Sequence, residues 1–289
     1  MKPMPCLLVF GLSLQIQSTP PRPAAAGILE AERAFIRHSG REGIKASFIE
    51  AFHPEGLIFR PEPANGKDWY QRQPESKARL SWLPAISFTA ASGDLGYNAG
   101  PWTWKPDPGS EPKAFGWFFS VWKRDPGGAW KLFWDIGMPT REPAADVPAL
   151  KASGPARRVT AEVAPLSETQ AIDLDRMFIA KAKSEGLEQA YRFYLAPAGR
   201  VFRSPSQPAA GWASARGLLA ASAGARTWEP RGAAVARSGE ILFVQGAYSR
   251  TQEAKPAETG SYVRVWRRLG TAWTLELDLE SPQPPKENP

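Results

Sequence analysis

The sequence predicts an α+β protein built from two copies of one unit, each opening with helices and closing with a run of antiparallel strands. Three observations carry this expectation. The chain matches itself at an offset of 143 residues, each copy starts with a helical apolar period, and each ends with a period of two. A chain of 289 residues also suits two domains of ordinary size better than one.

The repeat is clearest from Ala31 to Pro61, which aligns without a gap to Leu174 to Ser204. Arg33/Arg176, Phe35/Phe178, Glu42/Glu185, Gly43/Gly186, Phe59/Phe202 and Arg60/Arg203 are identical in type. The match resumes with Trp82-Leu83-Pro84 against Trp228-Glu229-Pro230 and Ser92-Gly93-Asp94 against Ser238-Gly239-Glu240. It closes with Gly116, Val121 and Trp122 against Gly260, Val265 and Trp266, and with Trp130 and Asp135 against Trp273 and Asp278.

Residues 1–26 read as a signal peptide: Lys2 supplies positive charge, Cys6 to Leu14 are mostly apolar, and Ala24-Ala25-Ala26 offers a cleavage site. The expected location is periplasmic or secreted. The apolar run is too short to span a bilayer, so no membrane span is expected. Cys6 is the only cysteine and lies in this leader, which leaves no thiol chemistry for the rest of the chain. Net charge is +7, with basic residues scattered rather than striped, so no nucleic-acid partner is expected.

The first unit is placed at 27–137. Helices are predicted around 28–39 and from Ile44, whose stripe of Ile44, Phe48, Ala51 and Phe52 has helical spacing and stops at Pro54. A short strand, a helical piece at 67–79 and the antiparallel strands follow. Trp130, Leu132, Trp134 and Ile136 alternate with Lys131, Phe133 and Asp135, which predicts one buried face and places Asp135 on a solvated or inter-domain surface. Residues 138–166 carry five prolines and are expected to form a linker. The second unit, at 167–281, has helices at 168–183, Leu187–Leu195 and 210–221, and a closing strand with Trp273, Leu275, Leu277 and Leu279. Residues 282–289 are expected to be a disordered tail.

The element order, with Glu32-Arg33-Ala34-Phe35, Ile58-Phe59-Arg60-Pro61, Ser92-Gly93-Asp94-Leu95-Gly96-Tyr97 and Trp130-Lys131-Leu132-Phe133-Trp134-Asp135-Ile136-Gly137, resembles the SnoaL-like or domain-of-unknown-function 4440 branch of the nuclear transport factor 2-like superfamily. The resemblance covers nearly all of 28–137 and, more weakly, 167–280. It implies two cone-shaped (cystatin-like) domains, each a curved antiparallel sheet wrapped around helices with an apolar pocket at the open end. The two cones are expected to associate within the chain as an intramolecular pseudo-dimer. It does not select a function, because the superfamily contains isomerases, dehydratases, cyclases and non-catalytic modules.

In isomerase-type members a general-base carboxylate precedes a proline on the short strand after the second helix. Here that place is held by Arg60, and by Arg203 in the second copy, and an arginine cannot take a proton at neutral pH. Strand alternation puts Arg60 on the interior face with Ile58. A cation there needs a partner: either an acidic ligand held by a bidentate contact, or an internal acid such as Glu32. Asp135 and Tyr97 are the weak catalytic candidates. Arg60, Trp82, Tyr97, Trp102, Phe118 and Arg203 are the candidate ligand-binding residues, and the tryptophan-rich first copy is the expected site. His38 and His53 have no histidine counterparts in the second copy, so neither a metal nor a cofactor is expected. The functional expectation is an exported protein that binds a small apolar or aromatic, possibly acidic, molecule. The alternatives are a cyclase-, isomerase- or lyase-type enzyme and a non-catalytic structural or interaction module.

Overall fold

The computed structural model describes residues 27–60, 62–145, 147, 150, 164–252 and 256–284. The leader lies outside the described residues, as do most of the linker after Ala145 and most of the tail.

The first unit runs α1 (Ile28–Glu42), α2 (Ile44–Ala51), β1 (Phe52–Phe59), β2 (Pro63–Asn65), α3 (Gly66–Arg72), β3 (Arg79–Trp82), β4 (Ile86–Thr89), β5 (Leu95–Lys105), β6 (Ala114–Arg124) and β7 (Trp130–Thr140). The second repeats the order: α4 (Glu168–Glu185), α5 (Leu187–Tyr194), β8 (Leu195–Arg203), β9 (Ala209–Ala210), α6 (Gly211–Ala221), β10 (Ala225–Val235), β11 (Ile241–Thr251), β12 (Glu258–Leu269) and β13 (Ala272–Pro282). Strand β7 continues through Pro139 to Thr140, so residues 138–140, expected in the linker, belong to the sheet. The third helix of the first unit ends at Arg72, short of the expected 79.

Each unit has its own sheet, in the orders β2-β1-β7-β6-β5-β3, with β4 also on β5, and β10-β11-β12-β13-β8-β9. Neither is wholly antiparallel, because β1 and β8 lie parallel to β7 and β13. Between the first two helices of each unit the backbone takes φ +86° at Gly43 and +96° at Gly186. These values suit glycine alone and turn the second helix back over the sheet.

A bulge in the last strand of each unit decides which side chains meet the helices. Val121 pairs with Trp134 but Trp122 with Leu132, leaving Phe133 as the extra residue. In the second unit Val265 pairs with Leu277 and Trp266 with Leu275, leaving Glu276 extra. An inserted residue reverses the alternation beyond it. Leu132 therefore packs under the helices, whereas Trp134 and Ile136 pack on the opposite face, and Asp135 turns inward. This corrects the expectation of a solvated or inter-domain Asp135.

The outer faces of the two sheets meet. Tyr97, Phe119 and Ile136 from one and Phe202, Phe243 and Leu277 from the other form a single buried cluster. Tyr97 and Phe243, which are equivalent in the repeat, meet edge to face at 6.0 Å, a favourable arrangement for aromatic pairs. The Ser-Gly-Asp and Ser-Gly-Glu turns also meet. The Ser92 N–H donates to Ser238 Oγ at 3.1 Å and the Ser238 N–H donates to Ser92 Oγ at 3.1 Å. Equivalent residues exchanging the same bond is the contact pattern of a two-fold interface.

Candidate functional site

The first unit encloses a cavity of about 480 Å³ between α1, α2, α3 and the inner face of its sheet. Its wall is largely aromatic, with Trp69, Tyr70, Trp82, Trp102, Trp104 and Phe118 from α3 and three strands, and Phe35 and Phe48 from the helices. This is the size and lining of a small-molecule pocket.

The floor is polar. Glu32 replaces an apolar residue on the buried stripe of α1, between Ile28 and Phe35. It accepts hydrogen bonds from Trp82 Nε1 (2.7 Å), Trp122 Nε1 (2.8 Å), Ser120 Oγ (2.8 Å) and Asn98 Nδ2 (3.0 Å). Burial raises its pKa, and these four donors oppose the rise. Glu32 is thus the hub that ties α1 to the sheet.

Asp135 is different. It lines the cavity and is 7% exposed, and among the described residues its carboxyl has no hydrogen-bond or ion-pair partner. Burial pushes its pKa up to about 7, with Arg60 pulling it down and Glu32 adding to the rise. A carboxyl that titrates near neutrality and faces a cavity can hold or release a proton there.

Arg60 follows β1 and shares the inward face of Ile58, which pairs with Asp135. Its side chain lines the cavity from an exposed position and forms no ion pair among the described residues. Glu32, one expected partner, is occupied by its four donors. Trp102 lines the cavity with its indole N–H unpartnered among the described residues. A carbon added to Gly137 would sit 3.7 Å from that nitrogen.

Of the six expected ligand-binding residues, Arg60, Trp82, Trp102 and Phe118 line this cavity, although the Trp82 indole N–H is taken by Glu32. Tyr97 and Arg203 do not. Tyr97 has the parity of the outer face of β5, and its ring is stacked on Phe119 and set against Phe243 between the sheets. Burial raises its hydroxyl pKa, and Tyr97 lies outside the cavity that Asp135 and Arg60 line.

Arg203 sits in the second cone, where charged side chains fill the interior. It pairs with Asp278 (2.7 Å) and Glu280 (2.9 Å). Arg264 pairs with Asp175 (3.0 Å) and Asp278 (3.3 Å) and lies 4.2 Å over the Phe178 ring. Burial works to raise the Asp278 pKa, but Arg203 and Arg264 outweigh it and hold the carboxyl below its usual range. The repeat shows what changed. Ser120, Leu80 and Gly137 in the first copy correspond to Arg264, Arg226 and Glu280 in the second. These large side chains occupy the second cone where the first is open. A polar cleft of about 320 Å³ remains beside Arg141, Arg203 and Arg250, but the last two already bind carboxylates, Arg250 through Glu258 at 2.5 Å.

The reading from sequence did not include Trp69, Tyr70 or Trp104 among the site residues. The acid recurring on the apolar stripe of the first helix, Glu32 and Asp175, was the one signal that pointed to a polar floor. Among the described residues no cluster of His, Cys, Asp and Glu could hold a metal ion, and no helix is long and apolar enough to cross a membrane.

No described protein family and no curated protein matches the sequence. Solved structures do. A nuclear transport factor 2-like protein of unknown function from Shewanella oneidensis is 15% identical over 39% of this chain and 98% of its own, with a TM-score of 0.33. A ketosteroid isomerase-like protein from Erwinia carotovora atroseptica is 16% identical over 40% and 96%, with a TM-score of 0.35. A candidate SnoaL-like polyketide cyclase from a Jannaschia species is 13% identical over 40% and 86%, with a TM-score of 0.32. Each of these three structures is matched over about the length of one of the two units of this chain.

Proposed function

We propose that this is an exported tandem SnoaL-like protein whose first cone binds a small, largely aromatic molecule, while the second cone serves as a built-in partner in an intramolecular pseudo-dimer. The observation that carries this reading is the contrast between the copies: an aromatic cavity of about 480 Å³ in the first, and a net of buried ion pairs at the same place in the second. A cavity of this size and lining in only one of two duplicates supports placing the ligand there. The reciprocal Ser92 and Ser238 bonds and the shared aromatic cluster support the pseudo-dimer. The test is a thermal-shift series with small aromatic acids and hydroxyaromatics. They are expected to raise the melting temperature of the wild type more than that of Arg60→Ala. Absent shifts, or equal shifts in both proteins, would count against the reading.

One observation favours a second reading, an enzyme of the isomerase, cyclase or lyase type. Asp135 is a cavity-lining carboxyl with no partner among the described residues and its pKa pushed up to about 7, suited to proton transfer at neutral pH. Exchange of the acidic C–H protons of 2-tetralone into heavy water should then be faster with the wild type than with Asp135→Asn. Equal rates would remove this reading and leave the binding role intact.

A further inference from the structure

The second cone carries an internal version of a contact that the first leaves open. Tyr191 of α5 sets its hydroxyl against two charged groups, donating to Asp278 Oδ2 and accepting from Arg203 Nη2, which also bond each other at 2.7 Å. The first copy keeps both of those groups. Asp135 is equivalent to Asp278 and Arg60 to Arg203, and the strand register agrees, with Ile58 opposite Asp135 and Val201 opposite Asp278. The residue equivalent to Tyr191 is Phe48. Its ring packs in the same way, edge to face on Phe35 at 4.7 Å and 81°, as Tyr191 packs on Phe178 at 5.2 Å and 80°. The first cone lacks this hydroxyl, as it lacks Arg264 and Glu280, and among the described residues the Asp135 and Arg60 side chains have no hydrogen-bond or ion-pair partner while Phe48 faces the cavity.

We propose that the ligand of the first cone is a phenol whose hydroxyl lies between the Asp135 carboxyl and the Arg60 guanidinium, as the Tyr191 hydroxyl lies against their counterparts. The proposal rests on the binding role given above and names the class of molecule bound. A phenolic hydroxyl has one donor for the carboxylate and an acceptor for the guanidinium. A carboxylate ligand has acceptors only, and would set a second negative charge beside Asp135 and above Glu32. A wholly apolar ligand would leave Asp135 buried with no partner, which is unfavourable. The aromatic wall supplies flat surfaces for the ring of the same molecule.

Three probes with one ring frame separate the possibilities: biphenyl, 4-phenylphenol and biphenyl-4-carboxylate, each measured at pH 8 by equilibrium dialysis against the full chain. Wild type is expected to bind 4-phenylphenol about tenfold or more tighter than the other two, the factor that a hydrogen bond to a charged group supplies. In Phe48→Tyr the chain provides the hydroxyl itself, so 4-phenylphenol should fall to the affinity of biphenyl while biphenyl binding is kept. Arg60→Met, at an exposed position, should narrow the phenol preference in the same direction. If biphenyl and 4-phenylphenol bind equally, or the carboxylate binds tightest, the phenol assignment is overturned and the pocket reading survives. If Phe48→Tyr leaves the phenol preference intact, the placement between Asp135 and Arg60 is wrong. If none of the three binds, the assignment and the binding role fall together.

Discussion

Replacing Asp135 with asparagine should stabilise the protein above neutrality and change little in acid. Burial raises this carboxyl from 3.8 to about 7, and the direction of the effect follows from that. Below pH 4 both the folded and the unfolded chain hold the proton, so the group contributes nothing. As pH rises toward 7 the unfolded chain releases the proton while the folded one retains it, so folding grows progressively less favourable and the loss levels off above pH 7. At about 1.4 kcal/mol per pH unit, a rise of about three pH units sets a ceiling of about 4 kcal/mol. The cavity beside Asp135 admits solvent, so we expect about 1–3 kcal/mol at pH 8. An asparagine of similar size cannot ionise and escapes this cost. Urea unfolding of wild type and Asp135→Asn at pH 5 and pH 8 measures it, and each kcal/mol should move the melting temperature by roughly 2–4 °C in a protein of this size. Titrating groups that do not interact with Asp135 are common to both proteins and cancel in the difference. A difference that is the same at both pH values, or a variant less stable than wild type at pH 8, would refute the reasoning.

Asp278→Ala should do the opposite and act at any pH where the carboxylate is ionised, because it leaves Arg203 and Arg264 buried without the acid they share; a loss of about 3–5 kcal/mol in denaturant titration is expected, and a loss under about 1 kcal/mol would mean that Asp175 and Glu280 suffice. Glu32→Ala removes one acceptor from four donors, two of them buried indoles, and should lower stability by at least about 3 kcal/mol, accompanied by a red shift of tryptophan fluorescence as Trp82 and Trp122 loosen; unchanged emission would show that the hub does not hold those rings.

The apolar patterns were informative only where one side of an element is buried. The helix stripes with Phe35, Phe48, Phe178 and Tyr191 follow the 3.6-residue period because those helices are covered on one face. Arg60 keeps the parity of Ile58 and reaches the cavity rim because no bulge falls between them. The closing strands gave no such guidance. Both faces of β7 are buried, one against helices and one against the other sheet, so Trp130, Leu132, Trp134 and Ile136 read as one continuous apolar face although the bulge at Phe133 divides them between two. Tyr97 failed for the same reason. A large aromatic residue at a buried position says nothing about which of two buried faces it occupies.

By itself the sequence determined the duplication, the order of helices and strands in each copy, and the concentration of tryptophans in the first copy. These follow from local periodicity and self-similarity, which the chain carries whatever it packs against. Tertiary structure alone decided that Asp135 faces the cavity, that Tyr97 joins the two sheets, and that Arg203 is held by Asp278 and Glu280 while Arg60 forms no ion pair among the described residues. Those outcomes depend on one extra residue in a strand and on which charges meet across a closed interior, and neither is encoded in the spacing of residues along the chain.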